Sequence, residues 1–375
     1  MDASVNRILP SLEDRALLIG IRFPGQEIKL VEDSLDELKL LVKTAGVLTV
    51  DSLIIRRERL DPAVIIGKGY VKTIGEMIRE KGIRLIVFDL NTIRPAQVRN
   101  LEETLKVRII GRTEIILDIF ARRARSSEAK IQVELAQLQY ILPRLKGLGG
   151  VLSRLGGGIG TRGPGEKMLE TDRRHVLRRI ATLNEKLRKI SKHRKLIRKS
   201  RSREMLGAVV GYTNAGKSTL INKLAHDDLF VEDRLFATLD AYTRMVYLNR
   251  EIRVLLTDTV GFIRNLPSNL IEAFKSTLEE IGNAHFLVHV IDSTARDIAG
   301  NISTVEQELR SLGSNNKPMI LFFNKVDALR DECIERIGNA YPDAIIGSAL
   351  HGTGLDLLKN RMQEICEHLS SLQPV

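Results

Sequence analysis

The residues with the clearest chemistry form a short glycine-containing run in the second half of the chain. Gly211-Tyr-Thr-Asn-Ala-Gly216-Lys217-Ser218 has the spacing GxxxxGK[ST] between an apolar strand-like run and a predicted helix. Glycines let backbone N–H groups turn toward phosphate oxygens, and the helix N-terminus adds its dipole. In such a loop Lys217 contacts the β- and γ-phosphates and the Ser218 hydroxyl binds Mg²⁺. The run therefore predicts a nucleotide-binding site.

Two further runs after this loop also carry residue types that could contact a bound nucleotide. Asp258-Thr-Val-Gly261 ends a predicted strand, where the carboxylate suits a water-mediated magnesium contact and the Gly261 N–H suits the γ-phosphate. Phe236-Ala-Thr238-Leu-Asp240 contains a threonine that can complete the magnesium coordination and sense the γ-phosphate. Phe262 stands where many GTPases carry a glutamine that orients water, which predicts slow hydrolysis unless another residue positions that water.

Residues at the ends of two later strands are predicted to recognise the base. Asn324-Lys325-Val-Asp327 places a carboxylate that can accept hydrogen bonds from guanine N1–H and N2–H₂, and adenine lacks both donors. Sites of this kind reject analogues by factors of ~10⁴ or more. Asn324 is expected to face the purine and Lys325 to pack over it. Ser348-Ala-Leu350 fits a backbone contact to guanine O6. The order of these motifs predicts GTP.

The candidate site residues fall into three groups. Those assigned to catalysis are Lys217, Thr238 and Gly261, and those assigned to magnesium are Ser218, Thr238 and, through water, Asp258. The residues expected to contact GTP or GDP are Gly211, Tyr212, Thr213, Asn214, Ala215, Gly216, Lys217, Ser218, Thr219, Phe236, Ala237, Thr238, Leu239, Asp240, Asp258, Thr259, Val260, Gly261, Asn324, Lys325, Val326, Asp327, Ser348, Ala349 and Leu350.

The elements around these motifs alternate between strand-like and helix-like runs. The second half, 205–375, predicts a doubly wound α/β domain, and residues 1–125 predict a smaller parallel α/β domain. Between them, 126–204 carries two apolar seams with heptad spacing, one from Ile131 to Leu145 and one from Val176 to Ile190. A stretch with nine glycines, Lys146 to Glu166, separates the seams. This middle part is predicted to be an antiparallel helical hairpin with a glycine-rich loop at its tip.

Positive charge is concentrated in one segment. The chain carries +11 overall, yet Arg173 to Arg203 alone has 14 Lys or Arg against one acid, so the remainder is close to neutral. Concentrated positive charge indicates a polyanionic partner, RNA or DNA first. The residues assigned to RNA contact are Arg162, Lys167, Arg173, Arg174, Arg178 and Arg179. A solvated helix face is the alternative interpretation of this run.

The composition of the chain excludes several classes of protein and of binding site. No apolar stretch approaches the ~20 residues of a membrane span, and no secretory signal precedes the first domain, so a cytoplasmic protein without stable membrane insertion is expected. Loose membrane association is the alternative. A monomer is expected as well. Two cysteines exclude a disulfide framework and a cysteine-based zinc site. Aromatic residues make up 4% of the chain and tryptophan is absent, which disfavours base stacking as a binding mode.

The chain resembles the HflX family of GTPases over nearly its whole length. The most specific resemblance is in Gly157-Gly-Ile-Gly-Thr-Arg-Gly-Pro-Gly-Glu166 and Leu169-Glu-Thr-Asp-Arg-Arg174, with support from the runs 236–240 and 258–262. The resemblance implies association with the large ribosomal subunit, a hairpin loop that reaches ribosomal RNA, and a role in splitting or rescuing ribosomes or in their biogenesis. Longer members have an extra C-terminal domain, for which the residues after Leu369 leave no room.

Two other functions remain open from the sequence. The chain could be a GTP switch that binds a protein effector or a membrane surface through its basic hairpin. Residues 1–200 could also hold an ATP- and RNA-dependent site at Gly67-Lys68-Gly69, although a plain helix start explains that run as well.

Overall fold

A computed structural model describes residues 15–152, 164–200, 204–225, 235–236, 242–264, 267 and 275–371. The chain divides into two compact units, and the main division falls between Lys189 and Ile190. The predicted α/β class is confirmed, with a parallel sheet in the first unit, a helical region, and a larger sheet in the second. Within the described residues, no helix is both long and apolar enough to cross a membrane.

The first unit begins with a four-stranded sheet in which every strand pair is parallel. Its strands are β1 (Arg15–Arg22), β2 (Leu48–Arg56), β3 (Leu85–Phe88) and β4 (Arg108–Gly111), in the order β2-β1-β3-β4. Its helices are α1 (Ile28–Thr44), α2 (Lys68–Lys81), α3 (Pro95–Leu105) and α4 (Arg112–Arg123). β3 is buried at all four positions, which is typical of a strand covered on both faces. Helix α4 was not predicted from the sequence.

Two long helices, α5 (Ser127–Leu152) and α6 (Pro164–Ser200), follow α4. On α6 the predicted seam is confirmed: Val176 and Leu183 are buried and Ile180 and Leu187 are half-buried, while the positions between them are exposed. Arg179 of α6 forms a two-point salt bridge with Glu134 of α5, with nitrogen–oxygen distances of 2.6 and 2.8 Å. These contacts join the two helices in one helical region.

The glycine-rich stretch is partly helical, which corrects one expectation. Helix α5 continues through Gly147, Gly149 and Gly150 and ends at Leu152, and α6 begins at Pro164. The loop is therefore shorter than the predicted 146–166. Its remaining part, 153–163, lies outside the described residues.

The second unit contains a six-stranded sheet in the order β10-β9-β8-β5-β7-β6. Its strands are β5 (Met205–Gly211), β6 (Thr243–Tyr247), β7 (Arg253–Asp258), β8 (Phe286–Asp292), β9 (Met319–Asn324) and β10 (Ile345–Ile346). Its helices are α7 (Lys217–Ala225), α8 (Lys275–Asn283), α9 (Ile298–Ser311), α10 (Asp331–Ala340) and α11 (Leu355–Ser371). All pairs are parallel except β6 with β7. Helix α10 was not predicted.

Both faces of this sheet carry helices. One face packs against α7 and α11 through a cluster that includes Leu220, Val288 and Leu358. The other face packs against α9 and α10 through Ile302, Phe323 and Ile337. Because they are covered on both sides, the parallel strands are continuous apolar runs, and the doubly wound prediction is confirmed.

Candidate nucleotide-binding site

The predicted motifs meet at one edge of the six-stranded sheet. The loop 211–218 follows β5, Asp258 is the last residue of β7, and Asn324 is the last residue of β9. Ser348 comes two residues after β10. The carboxyl ends of parallel strands lie at the same edge, and this is where doubly wound sheets bind their ligands. The fold therefore brings together motifs that are more than 100 residues apart in the chain.

The loop 211–218 has the backbone conformations that its glycines predicted. Gly211 has φ of +152° and Gly216 has φ of +94°, and Asn214 lies in the left-handed region with φ of +63°. A Cβ atom at Gly211 would lie 2.2 Å from the carbonyl oxygen of Val290. Ser218 and Thr219 lie in the first turn of α7. Left-handed residues in such a turn direct successive N–H groups to one side, which makes an anion-binding concavity.

Lys217 is buried beneath this loop. Its Nζ atom donates to the carbonyl oxygens of Gly211 at 3.2 Å and Tyr212 at 2.9 Å. The pKa of Lys217 is lowered to about 8, mainly by burial; the Asp258 carboxylate acts in the opposite direction, and the nearby Lys325 contributes to the lowering. An ammonium group in these surroundings is stabilised when it pairs with an anion such as a phosphate.

Ser218 and Asp258 are in direct contact. The Ser218 hydroxyl donates to Oδ2 of Asp258 at 2.5 Å, and Asp258 is 3% exposed. A hydroxyl and a carboxylate are hard oxygen donors of the kind that Mg²⁺ prefers. Among the described residues there is no cluster of three His, Cys, Asp or Glu side chains that could hold a metal by itself. The donor set fits Mg²⁺, which commonly binds through few protein oxygens together with phosphates and water.

The chain after β7 lies directly against the loop. The Phe262 N–H donates to the Gly211 carbonyl at 3.1 Å, and the Thr213 N–H donates to the Phe262 carbonyl at 2.7 Å. A Cβ atom at Gly261 would lie 2.6 Å from Cα of Thr213 and 2.8 Å from Nζ of Lys217, so only glycine fits there. Phe262 is 2% exposed. This places Gly261 next to the lysine that is predicted to contact the γ-phosphate.

Residues 259 and 260 help to hold Gly261 close to the loop 211–218. The Thr259 hydroxyl donates to the Val209 carbonyl at 2.7 Å, and Val260 is buried. Their contacts are with protein groups, and they hold the chain between β7 and Gly261 in place.

Only part of the run 236–240 is described. Phe236 is buried with φ of +54°, and its N–H donates to the Thr213 hydroxyl at 2.8 Å. Ala237, Thr238, Leu239 and Asp240 lie outside the described residues. The contact ties the start of this run to the phosphate-binding loop.

Asn324 makes two hydrogen bonds with neighbouring loops. Its Nδ2 donates to the Ala215 carbonyl at 2.8 Å, and its Oδ1 accepts the Ala349 N–H at 2.8 Å. The expectation that this side chain faces the purine stays a prediction, and the structure adds these two contacts with the protein. The amide connects the phosphate-binding loop to the loop after β10.

The other residues that are predicted to recognise the base have distinct surroundings. Lys325 has φ of +67° and donates from Nζ to Oδ2 of Asp292 at 2.7 Å, and Val326 is buried. The Asp327 carboxylate is accessible and lies 3.9 Å from Nε2 of His351. A carboxylate that is accessible at the ligand edge can accept hydrogen bonds from a base.

In the loop after β10, Ser348 is buried and its hydroxyl accepts the His351 N–H at 3.2 Å. Ala349 is buried and its N–H donates to Asn324, whereas Leu350 is 65% exposed. The backbone of this loop is therefore anchored beside the base-recognition residues.

The residues assigned to RNA contact are all on or near α6. Arg174, Arg178 and Arg179 are exposed and Arg173 is half-buried. Arg179 is engaged by Glu134, so an RNA phosphate would have to compete with that carboxylate. Arg162 and the Lys167 side chain lie outside what the structure describes.

Four residues near the site were not found from the sequence. Asp292 ends β8 and pairs with Lys325; an acid at a strand end was the available signal. His289 is buried on β8, and burial lowers its pKa to about 3, with the Lys217 charge acting in the same direction. Arg264 pairs with Asp297 at the start of α9. No sequence pattern distinguishes the histidine or the Arg–Asp pair from ordinary structure.

Fold and site together define a P-loop GTPase. The sheet order, the phosphate-binding loop at the ligand edge and the accessible aspartate after β9 occur together in that class. Three families match successive parts of the chain: "GTP-binding GTPase N-terminal" over 32–121, "GTP-binding GTPase Middle Region" over 123–201, and "50S ribosome-binding GTPase" over 207–325.

Curated relatives identify the particular family. The GTPase HflX of Caldanaerobacter subterraneus subsp. tengcongensis is 47% identical over 348 residues, which is 92% of this chain and 79% of the relative. The GTPase HflX of Escherichia coli K12 is 40% identical over 370 residues, 96% of this chain and 86% of the relative. The chain belongs to the HflX family of GTPases and is a GTP hydrolase.

One solved structure is similar over almost the whole chain. The crystal structure of SsGBP in complex with GDP has a TM-score of 0.51 and 25% sequence identity, and the match covers 96% of this chain and 99% of SsGBP. That protein binds a guanine nucleotide, in agreement with the class to which this chain belongs.

Proposed function

We propose that this protein binds GTP with Mg²⁺, hydrolyses it slowly when alone, and acts as a cytoplasmic monomer on the large ribosomal subunit. Contact with the subunit and its RNA accelerates hydrolysis, and the cycle serves to split or rescue ribosomes or to assist their biogenesis. The observation that carries the proposal is the match of 207–325 with the family described as "50S ribosome-binding GTPase". The predicted division into 1–125, 126–204 and 205–375 belongs to the same proposal.

The nucleotide roles follow from the contacts at the ligand edge. The N–H groups of the loop 211–218 and the buried Lys217 bind the phosphates. Ser218 and Thr238 bind Mg²⁺ directly, and Asp258 contacts it through a water molecule. When bound, the ion neutralises phosphate charge. Asp327 recognises guanine, and the backbone of Ser348–Leu350 faces its O6. Lys217, Thr238 and the Gly261 N–H stabilise the charge that develops on the γ-phosphate.

Slow intrinsic turnover follows from Phe262. Its side chain has no hydrogen-bonding group and is 2% exposed, and its backbone groups are engaged with Gly211 and Thr213. Residue 262 therefore has no group with which to orient the attacking water. The ribosome supplies the missing positioning, either by its own groups or by moving a residue of this chain.

The helix α6 supplies the charge for RNA. Its seam residues are buried or half-buried, whereas Arg174, Arg178, Lys186 and Arg188 on the same helix are exposed. Each phosphate that these residues neutralise releases counterions, so binding depends steeply on salt. A solvated face without a partner would show no such dependence.

Sedimentation with separated ribosomal subunits tests the proposal. The full chain is mixed with large or small subunits and with a non-hydrolysable GTP analogue, GDP or no nucleotide. The proposal expects co-sedimentation with the large subunit, strongest with the analogue, and GTP hydrolysis that rises by orders of magnitude with ribosomes. Equal hydrolysis with and without ribosomes, or no binding to the large subunit, would contradict it.

Charge variants separate RNA contact from general electrostatics. Glutamine at Arg174, Arg178, Lys186 and Arg188 should reduce the slope of log binding constant against log salt by about 3, since each phosphate contact contributes about 0.7 to 0.9. The matched control replaces four exposed arginines of the second unit, Arg250, Arg310, Arg336 and Arg361. The control should keep the original slope.

The segment between the two long helices has a separate test. A chain shortened within 156–165 should bind GTP normally because none of the nucleotide motifs lies there. It should keep some salt-sensitive ribosome binding through α6 and lose any ribosome-splitting activity. A shortened chain that splits ribosomes at the normal rate would make this segment a passive connector.

A further inference from the structure

The chain that follows Gly261 is attached to the phosphate-binding loop on one side and to helix α9 on the other. On the loop side, the Arg264 N–H donates to the Tyr212 hydroxyl at 2.8 Å. Together with the two hydrogen bonds of Phe262, this makes three contacts that join 262–264 to residues 211–213. A shift of Arg264 therefore moves the backbone that carries Gly261.

On the helix side, the Arg264 guanidinium binds the first turn of α9. Its Nη2 lies 2.5 Å from Oδ2 of Asp297 and 3.5 Å from Oδ1 of Asn301. The two charged side chains are 19% and 34% exposed, so the pair is partly shielded from water. A shielded pair of this kind holds its geometry better than an exposed surface pair.

The start of α9 has space for this guanidinium. Asp297 is the N-cap residue, and its second oxygen, Oδ1, accepts the Gly300 N–H at 2.9 Å. A Cβ atom at Gly300 would lie 2.1 Å from Oδ2 of Asp297 and 2.6 Å from Nη2 of Arg264. The missing side chain at Gly300 thus leaves the space in which the pair forms.

Helix α9 is held in place by its packing in the second unit. Ile302, Val305 and Leu309 are buried along one side of it. Arg264 therefore links a helix that is anchored by one buried side to the loop segment whose backbone passes beside the phosphate-binding loop.

We infer that Arg264 and Asp297 are positioning residues for hydrolysis, which fix the Gly261 N–H where it contacts the γ-phosphate. The inference rests on the proposed role of Gly261. Neither side chain touches the nucleotide, because both act through the backbone of 261–264. GDP has no γ-phosphate, so the pair matters for the GTP-bound reaction and not for GDP affinity.

Three variants of the full chain test this role: Arg264→Ala, Arg264→Lys and Asp297→Asn. Asparagine is a good N-cap residue, so Asp297→Asn keeps the cap while it removes the charge. Arg264→Ala and Asp297→Asn should each lower the single-turnover rate of GTP hydrolysis by about 10- to 100-fold, the scale of a small misplacement of a reacting group. GDP affinity should stay within about 3-fold of the wild type, and Arg264→Lys should recover part of the rate.

A double variant and a matched control test whether the two residues act as one pair. The double variant should be no slower than Arg264→Ala alone, because either change breaks the same pair. Arg310→Ala breaks an exposed Arg310–Glu306 pair on the same helix and should leave the rate unchanged.

Two outcomes would overturn the inference. One is a single-turnover rate of GTP hydrolysis within about 2-fold of the wild type in both Arg264→Ala and Asp297→Asn. The other is a parallel loss of rate, GDP affinity and melting temperature, which would make the pair merely structural. A wild-type chain without GTP hydrolysis, with or without ribosomes, would instead refute the proposed function, so the two failures are distinguishable.

Discussion

Asn324 and Ala215 are joined by a hydrogen bond of 2.8 Å from the side-chain amide to the backbone carbonyl, although 109 positions separate them in the chain. The bond connects a residue at the end of β9 to the middle of the phosphate-binding loop. The oxygen of the same amide accepts the Ala349 N–H. The loop predicted to bind phosphate and the loop predicted to contact the base are therefore held by one side chain.

The first prediction concerns Gly216, which lies beside that connection. Its φ is +94°, and a Cβ atom would lie 2.2 Å from Nδ2 of Asn324. Gly216→Ala should lower the free energy of unfolding by about 1 to 3 kcal/mol, the cost of a strained backbone, and should weaken GTP binding. Denaturant unfolding and nucleotide titration measure both quantities.

Gly282→Ala is the control for that variant. Gly282 lies in α8, and a Cβ atom there would have open space around it. Alanine at this position should be neutral or stabilising by about 0.4 to 1 kcal/mol. Equal GTP affinity in wild type and Gly216→Ala would contradict the prediction.

The second prediction concerns base choice. Asp327→Asn turns one acceptor oxygen into a donor, so it opposes guanine N1–H and N2–H₂. GTP affinity should fall by about 2 to 3 kcal/mol, the scale of a lost charged hydrogen bond. Asp343→Asn, an exposed acid before β10, should leave affinity unchanged. Unaltered binding in Asp327→Asn would remove the guanine assignment.

The third prediction uses the pKa of about 8 of Lys217. Bound phosphates favour the ammonium form and raise this pKa, so GTP binding takes up a proton above pH 8. GTP affinity should therefore fall as pH rises above 8. Calorimetry at pH 8.5 in two buffers with different ionisation enthalpies measures the uptake. Lys217→Met should bind more weakly and take up no proton at this site, and a pH-independent wild-type affinity would refute the prediction.

The same lysine affects stability without nucleotide. Its pKa is lower in the folded state than the ordinary value of 10.5, so the unfolded chain binds more protons between about pH 8 and 10.5. By linkage, this lysine contributes a rise in the free energy of unfolding across that window. Plots of the free energy of unfolding against pH should differ in slope between wild type and Lys217→Met in this window, and they should run parallel below pH 8.

The fourth prediction concerns His289. Burial lowers its pKa to about 3, below the ordinary value of 6.5. The unfolded chain takes up a proton as pH falls through 6.5 while the folded chain does not, so this residue removes stability between pH 6.5 and 3. His289→Leu should make the loss of unfolding free energy between pH 6 and 4 less steep. An unchanged slope in His289→Leu would contradict this prediction.

The sequence predicted elements that have a clear period or a turn signal. Helix α3 opens with Pro95, and α6 has a seam at heptad spacing, so both were found. Helix α4 was missed because its residues from Arg112 to Phe120 are all buried, so this part has no polar face and no period. The carboxyl ends of β5, β7 and β9 were found because fixed motifs follow them.

Contacts between distant side chains could not be predicted in the same way. Nothing in the residues around Arg264 indicates that Asp297 is its partner, since both are common charged residues in loops. The hydrogen bonds of Asn324 with Ala215 and Ala349 could not be predicted either, because they depend on how two loops approach each other. These relationships are set by packing, which a local pattern does not encode.

The sheet order of the second unit has a consequence for synthesis on the ribosome. β5 is made first, yet it lies between β7 and β8 and has neither neighbour until later. About 40 residues separate Gly211 from the start of β7 at Arg253, and translation takes about 2 to 8 seconds to add them. During that time Ala208, Val209 and Val210, which end fully buried, form a strand segment without either final partner. The nascent chain therefore passes through an interval in which this segment is open to wrong pairing, and the order of the strands creates a binding opportunity for chaperones.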